Sequence, residues 1–315
     1  MLAWLRHGAS AAKIAGDRAD LWPAGALAWL AYIGWLPLIL VVARPDPNGL
    51  PAFGVSIYTS SAFPGNVIAL AAGVVAAFAA LSLLAATGEV TLQRAAGPTE
   101  ARRPGFGRAT LTVFSVMLAS SLPAAVAFGL LLRGLIAVAP AEFQSPDIGT
   151  PILVRLAGDL MPYLLALAVV LLLVQAFAGL AIRRAHAAPD EAVTSILTAS
   201  AQDLLRRPWS RLGVAGSALL LDLVSAVVTF ALLSVLWSPI GAALDAGRLA
   251  APDTLLLLLG FVAIWLALLL AAGAVHVAIS AWWAMELACD GQGRTSRDGV
   301  DSRASRFGSE TGGVD

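Results

Sequence analysis

The chain has 315 residues, with 20 Lys+Arg balanced by 20 Asp+Glu, 59% hydrophobic residues and only 13% charged ones. A soluble domain carries about 25% charged residues, so this chain cannot clothe a water-facing surface, and its mean hydropathy of +0.82 says the same. Extended disorder needs low hydrophobicity and high charge and is excluded, while a single cysteine, Cys289, excludes a disulfide framework and a cysteine-based metal cluster.

Residues 2–22 read as a weak amphipathic helix. Arg6, His7, Ser10, Lys13, Asp17, Arg18 and Asp20 fall on one half and Trp4, Leu5, Ala12 and Ala15 on the other, with Ile14 and Leu21 out of pattern. Such a segment either lies on the membrane surface or packs on the end of the bundle it precedes.

Six stretches follow that are each long and apolar enough to span, at 24–43, 66–88, 110–137, 159–182, 213–237 and 254–284. Crossing a hydrocarbon core about 30 Å thick takes about 20 apolar residues as a helix, and none of the six alternates as a barrel strand does. The first is too long and apolar for a signal-peptide core and is expected to be retained. Along the second, Ala69, Gly73 and Ala77 form a small-residue stripe, for which packing within the bundle is expected ahead of a dimer interface. Pro123 is expected to kink the third, and Arg155 and Asp159, spaced i, i+4, to pair at the outer surface.

Between the fourth and fifth stretches, Pro189-Asp190-Glu191 opens a second amphipathic helix in which Val193, Ile196, Leu197, Ala201, Leu204 and Leu205 follow at helical spacing. Arg206-Arg207-Pro208-Trp209 closes it at the membrane surface. Trp22, Trp209, Trp237, Trp282 and Trp283 fall near span ends, where amphipathic rings favour the headgroup region; Trp29 and Trp35 lie deeper and are expected between helices. From Cys289 onward the chain is rich in Gly, Ser, Arg and Asp, the composition of a disordered tail.

Charge placement orients the bundle. Sixteen of the 20 basic residues sit in the N-terminal segment, the 89–109 and 183–212 connections and the tail, leaving Arg44, Arg133, Arg155 and Arg248 for the opposite side. By the positive-inside bias both termini are cytoplasmic. Lys13 is the lone lysine in an Ala- and Gly-rich chain, the codon bias of a GC-rich, bacterial genome. The expected fold class is all-α: a polytopic protein of the bacterial cytoplasmic (inner) membrane with six transmembrane helices and two amphipathic interfacial helices. It is organised as an amphipathic segment 1–23, a six-helix domain 24–288 and a disordered tail 289–315.

Ionisable groups inside spans are the best functional pointers in such a protein. At 1.5 Å per residue, Asp222 and His276 come out roughly 12–14 Å below the cytoplasmic surface, and Gln175, Ser120 and Ser121 roughly 10–17 Å. The five form a candidate polar layer, with His276 the nearest partner in depth for Asp222, and both are expected to face the bundle interior. The layer is either a proton-linked or substrate-binding site, or interhelical hydrogen-bond glue. No nucleophile elbow, HExxH pair, Gly-rich phosphate loop or carboxylate pair with a nearby base occurs. Hence no catalytic residue, cofactor or metal is expected, and the expected partners are membrane lipids and a protein partner or second copy, without nucleic acid.

Several short motifs carry a resemblance. Gly88-Glu89 follows the small-residue end of the second span, Pro104-Gly105-Phe106-Gly107-Arg108-Ala109 leads into the third, Pro189-Asp190-Glu191-Ala192 opens the surface helix, and Arg206-Arg207-Pro208-Trp209 precedes the fifth span. In these the chain resembles six-span bacterial membrane proteins akin to the membrane domain attached to some glycerophosphodiester phosphodiesterases. The resemblance implies the topology over most of residues 1–288 and no catalysis, since no phosphodiesterase domain is present. The function expected is a non-catalytic scaffold or accessory subunit; the alternative is a transporter or permease subunit using the polar layer around Asp222 and His276.

Overall fold

A computed structural model describes residues 3–43, 56, 59–96, 105–143, 149–150, 152–247 and 251–309, with side chains up to Leu287. The described residues form helices and connections without a strand. Six helical segments are long and apolar enough to cross a membrane: Ala19–Ala43, Gly65–Ala95, Phe106–Glu142, Met161–Ala187, Pro208–Asp245 and Pro252–Leu287. This is the multi-pass helical membrane architecture expected from the sequence. The last helix runs over Pro252–Ser309, and so through residues 289–309 of the tail expected to be disordered; residues 310–315 lie outside the described residues.

Most spans overrun the apolar stretches that announce them. Apolar windows stop at the first cluster of polar side chains, but Glu, Gln and Arg are good helix formers, so the backbone ladder continues through Glu89 in the second span and Arg183 in the fourth. This overrun brings both charges into the bundle. The first span is composite: α-helix over Trp22–Trp29, one π-helical turn at Leu30–Gly34, then α-helix over Trp35–Ala43. The extra residue of a π turn shifts the helical register.

Lipid tails are as apolar as leucine, so helices in a membrane associate by close packing rather than by hydrophobic exclusion. The first, second and sixth spans meet through glycine for that reason. A methyl group on Gly25 would overlap the carbonyl oxygen of Gly273, and one on Gly273 would overlap the Trp22 carbonyl and the Ala26 amide nitrogen. On Gly88 it would lie 2.9 Å from the Ala24 carbonyl oxygen. The largest buried cluster joins Ala85, Ala86 and Val90 to Val113, Val116, Ala181, Ala185 and Ile196, uniting the second, third and fourth spans with the helix Val193–Arg206.

The helices Ala3–Asp17 and Val193–Arg206 pack on the same arginine-rich end. Ala3–Asp17 buries Ala11 and Ala15, and a Cβ on Gly8 would stand 2.9 Å from the Trp282 ring. Val193–Arg206 buries Ile196 and Ser200, with Asp203 paired to Arg184. Asp190 pairs with Arg108 at 2.7 Å, and the Pro189 carbonyl accepts from Thr112 Oγ1 at 3.1 Å, so this opening is tied to the third span.

Three local expectations differ. The stripe Ala69, Gly73 and Ala77 is exposed, with nothing within 4 Å of a Cβ on Gly73; close packing falls instead at Gly88, further along the same helix. Trp282 and Trp283 are buried, the latter 2.6 Å from where a Cβ on Gly179 would sit, because these span ends are covered by neighbouring helices. Arg155 pairs with Glu142 at 2.7 Å rather than with Asp159, since the short helix Ile152–Asp159 packs back on the end of the third span. Pro123 lies inside the third span's helix Phe106–Phe143.

Candidate functional site

The end of the second span, the C-terminal part of the fourth and the middle of the sixth converge on a buried ionic cluster. His276 Nε2 and Glu89 Oε1 are 2.9 Å apart. Ser280, one turn beyond His276, donates through Oγ to Glu89 Oε2 at 3.3 Å. Arg183 donates from one terminal nitrogen to Gly179 O at 3.2 Å and from the other to Ser280 Oγ at 3.0 Å and Ser280 O at 3.5 Å. The latter nitrogen also stands 3.7 Å from Glu89 Oε2. All four residues are buried. Burying a carboxylate in an apolar bundle is costly unless it is paired and hydrogen-bonded; here both oxygens are engaged by side chains from two other helices.

Tyr32, in the π-helical turn, brings its ring to 5.6 Å from the His276 ring and aims its hydroxyl at Met117 Sδ, 3.8 Å away. The register shift in the first span thus places an aromatic group against the histidine. The other imidazole nitrogen of His276, Nδ1, is buried without a hydrogen-bond partner.

The candidate polar layer does not assemble as one network. His276 belongs to the cluster, but its carboxylate partner is Glu89 and not Asp222. Asp222 is half-buried and within electrostatic reach of His276 and Glu89, while its Oδ1 is buried without a hydrogen bond. Ser120 Oγ donates to the Val116 carbonyl and Ser121 Oγ to that of Leu118, each within its own helix. Gln175 is half-buried in the fourth span, two helical turns before Arg183.

Glu89 and Arg183 escape a reading by depth because each lies one residue past its apolar window and counts there as a loop charge. The available signal was the pairing of opposite charges at matching span ends. A second cluster lies at the same end of the bundle: Glu286 accepts from Ser210 Oγ, stands 3.0 Å from His7 Nδ1 and 3.9 Å from a terminal nitrogen of the fully buried Arg211. It ties the N-terminal helix and the fifth span to the sixth.

Chemically, these arrangements can cross-link helices and hold or pass a proton. Among the described residues no group of three or more His, Cys, Asp or Glu side chains is placed to hold a metal ion. No protein-family model, curated protein or solved structure matches the chain.

Proposed function

We propose that this protein is a non-catalytic scaffold or accessory subunit of the bacterial cytoplasmic membrane, with both termini on the cytoplasmic side, working with a protein partner or a second copy. The observation carrying this reading is the outer half of the second span. Over residues 65–80 every residue is exposed except the half-buried Asn66 and Ala79, so the other described residues leave most of that stretch uncovered, and the face holding Ala69, Gly73 and Ala77 suits the close approach of another helix. The engagement of Glu89 by its own neighbours supports a structural role for the buried charges. Trp209 and Leu205, both strongly exposed at the arginine-rich end, suit contact with the headgroup region.

Native mass spectrometry of the protein extracted with its surrounding membrane tests the reading. A stoichiometric partner or second copy, lost in Gly73→Leu while the subunit stays folded, is the expected result. A monomer carrying only bulk lipid overturns it.

One observation favours a transporter or permease subunit instead: Asp222 keeps a buried carboxylate oxygen unpaired near His276 and Glu89. That reading requires a proton flux into proteoliposomes that disappears in a folded Asp222→Asn variant.

A further inference from the structure

A cavity of about 390 Å³ lies at the arginine-rich end, between the N-terminal helix and the first, second, fourth and sixth spans. Its volume falls in the roughly 300–1,000 Å³ range of small-molecule sites and far exceeds the roughly 30 Å³ of one water. Ile14, Leu21, Leu92 and Val277 form apolar walls, and Gln93, Arg183 and Ser280 supply polar groups. Ile14 and Leu21 are the two side chains that break the amphipathic pattern of the N-terminal segment. Facing this cavity, they have a place that a helix simply lying on a membrane surface would not give them.

Two of these three polar residues hold unspent donors. Of the five N–H groups of an arginine, those of Arg183 reach Gly179 and Ser280, but its Nε has no acceptor, nor has Gln93 Nε2. Buried donors without acceptors are costly, and a turn of either side chain toward the cavity would let an oxygen-rich group there accept from it. The nearest carboxylate, Glu89, stands 3.7 Å from one terminal nitrogen of Arg183 and is shared with His276 and Ser280, so Arg183 Nε has no anion of its own.

We propose that this cavity binds a single-chain amphiphile with an anionic, oxygen-rich head, the chain lying along Ile14, Leu21, Leu92 and Val277 and the head between Arg183 and Gln93. The site is separate from the exposed helix face that supports the scaffold reading, and the two stand or fall independently.

The test uses the full chain in phosphatidylcholine nanodiscs, with a dansyl-labelled fatty acid as reporter and tetradecyl phosphate, tetradecanol and inorganic phosphate as competitors. Saturable reporter binding, displaced by tetradecyl phosphate in preference to the other two, is expected. The affinity should fall about tenfold or more in Arg183→Gln, the scale of one charged hydrogen bond, and in Ala284→Phe, which fills the cavity from its lining. Because Arg183 also contacts Glu89, Gln93→Leu carries the head-group test if Arg183→Gln does not fold.

Tetradecanol competing equally well would remove the role of the head group. Inorganic phosphate competing equally well would remove that of the chain, and unchanged affinity in folded Ala284→Phe would remove the cavity. Mass spectrometry of organic extracts of the purified protein separates a single-chain compound from a membrane lipid: a diacyl lipid retained by the wild type and lost in Ala284→Phe overturns the single-chain assignment.

Discussion

Glu89 and His276, 187 residues apart in the chain, meet at 2.9 Å inside the bundle and link its second and sixth spans. Arg183 and Ser280 complete the cluster, so one buried carboxylate holds groups from the fourth and sixth spans to the second.

Removing one member leaves the rest uncompensated. Glu89→Ala should destabilise the fold by about 3–5 kcal/mol, the usual cost of breaking a buried charge pair from one side. The double variant Glu89→Ala/His276→Ala should lose less than the sum of the singles, by about 0.5–3 kcal/mol. Unfolding titrations in mixed micelles measure both, and strictly additive losses would show that the two residues are not coupled.

Glycine substitutions should divide sharply by position. Gly273→Ala puts a methyl group into the backbone of the first span and should cost about 1–3 kcal/mol, as overpacking does. Gly73→Ala meets open space and should leave the subunit unchanged or stabilise it by up to about 1 kcal/mol through helix propensity. Thermal melting of the two purified variants checks this, and equal melting temperatures would contradict the observed helix contact.

His7 holds the N-terminal helix to Glu286 at 3.0 Å. His7→Ala should speed hydrogen exchange of backbone amides in Ala3–Asp17 and leave the exchange of the second and third spans unaltered. Exchange read by mass spectrometry would refute the latch if protection of that helix stayed the same.

Asp222 offers the opposite case from Glu89. Its buried Oδ1 has no hydrogen bond to lose, so Asp222→Asn, which replaces an ionisable carboxyl by a neutral amide of the same shape, should be neutral or stabilising by about 1 kcal/mol. A clear drop in melting temperature would instead identify Asp222 as part of the structural glue.

Six helical spans were legible because long apolar runs have few choices in a bilayer: without water to satisfy peptide groups, the backbone must bond to itself as a helix. The positions of Glu89 and Arg183 at span ends were equally visible, but counting them as loop charges hid their meeting. Depth along each helix could be reckoned from the sequence; rotation about it could not. In a soluble bundle the apolar stripe marks the inward face, whereas here lipid and neighbouring helix are both apolar, and a hydrophobic pattern does not separate them. The tertiary structure alone decided that His276 turns to Glu89 rather than Asp222, that Gly273 touches the first span while no described residue lies within 4 Å of a Cβ on Gly73, and that Ile14 and Leu21 line a cavity. Each depends on which helix faces come together, and that is set by backbone fit between glycines and by the pairing of buried charges.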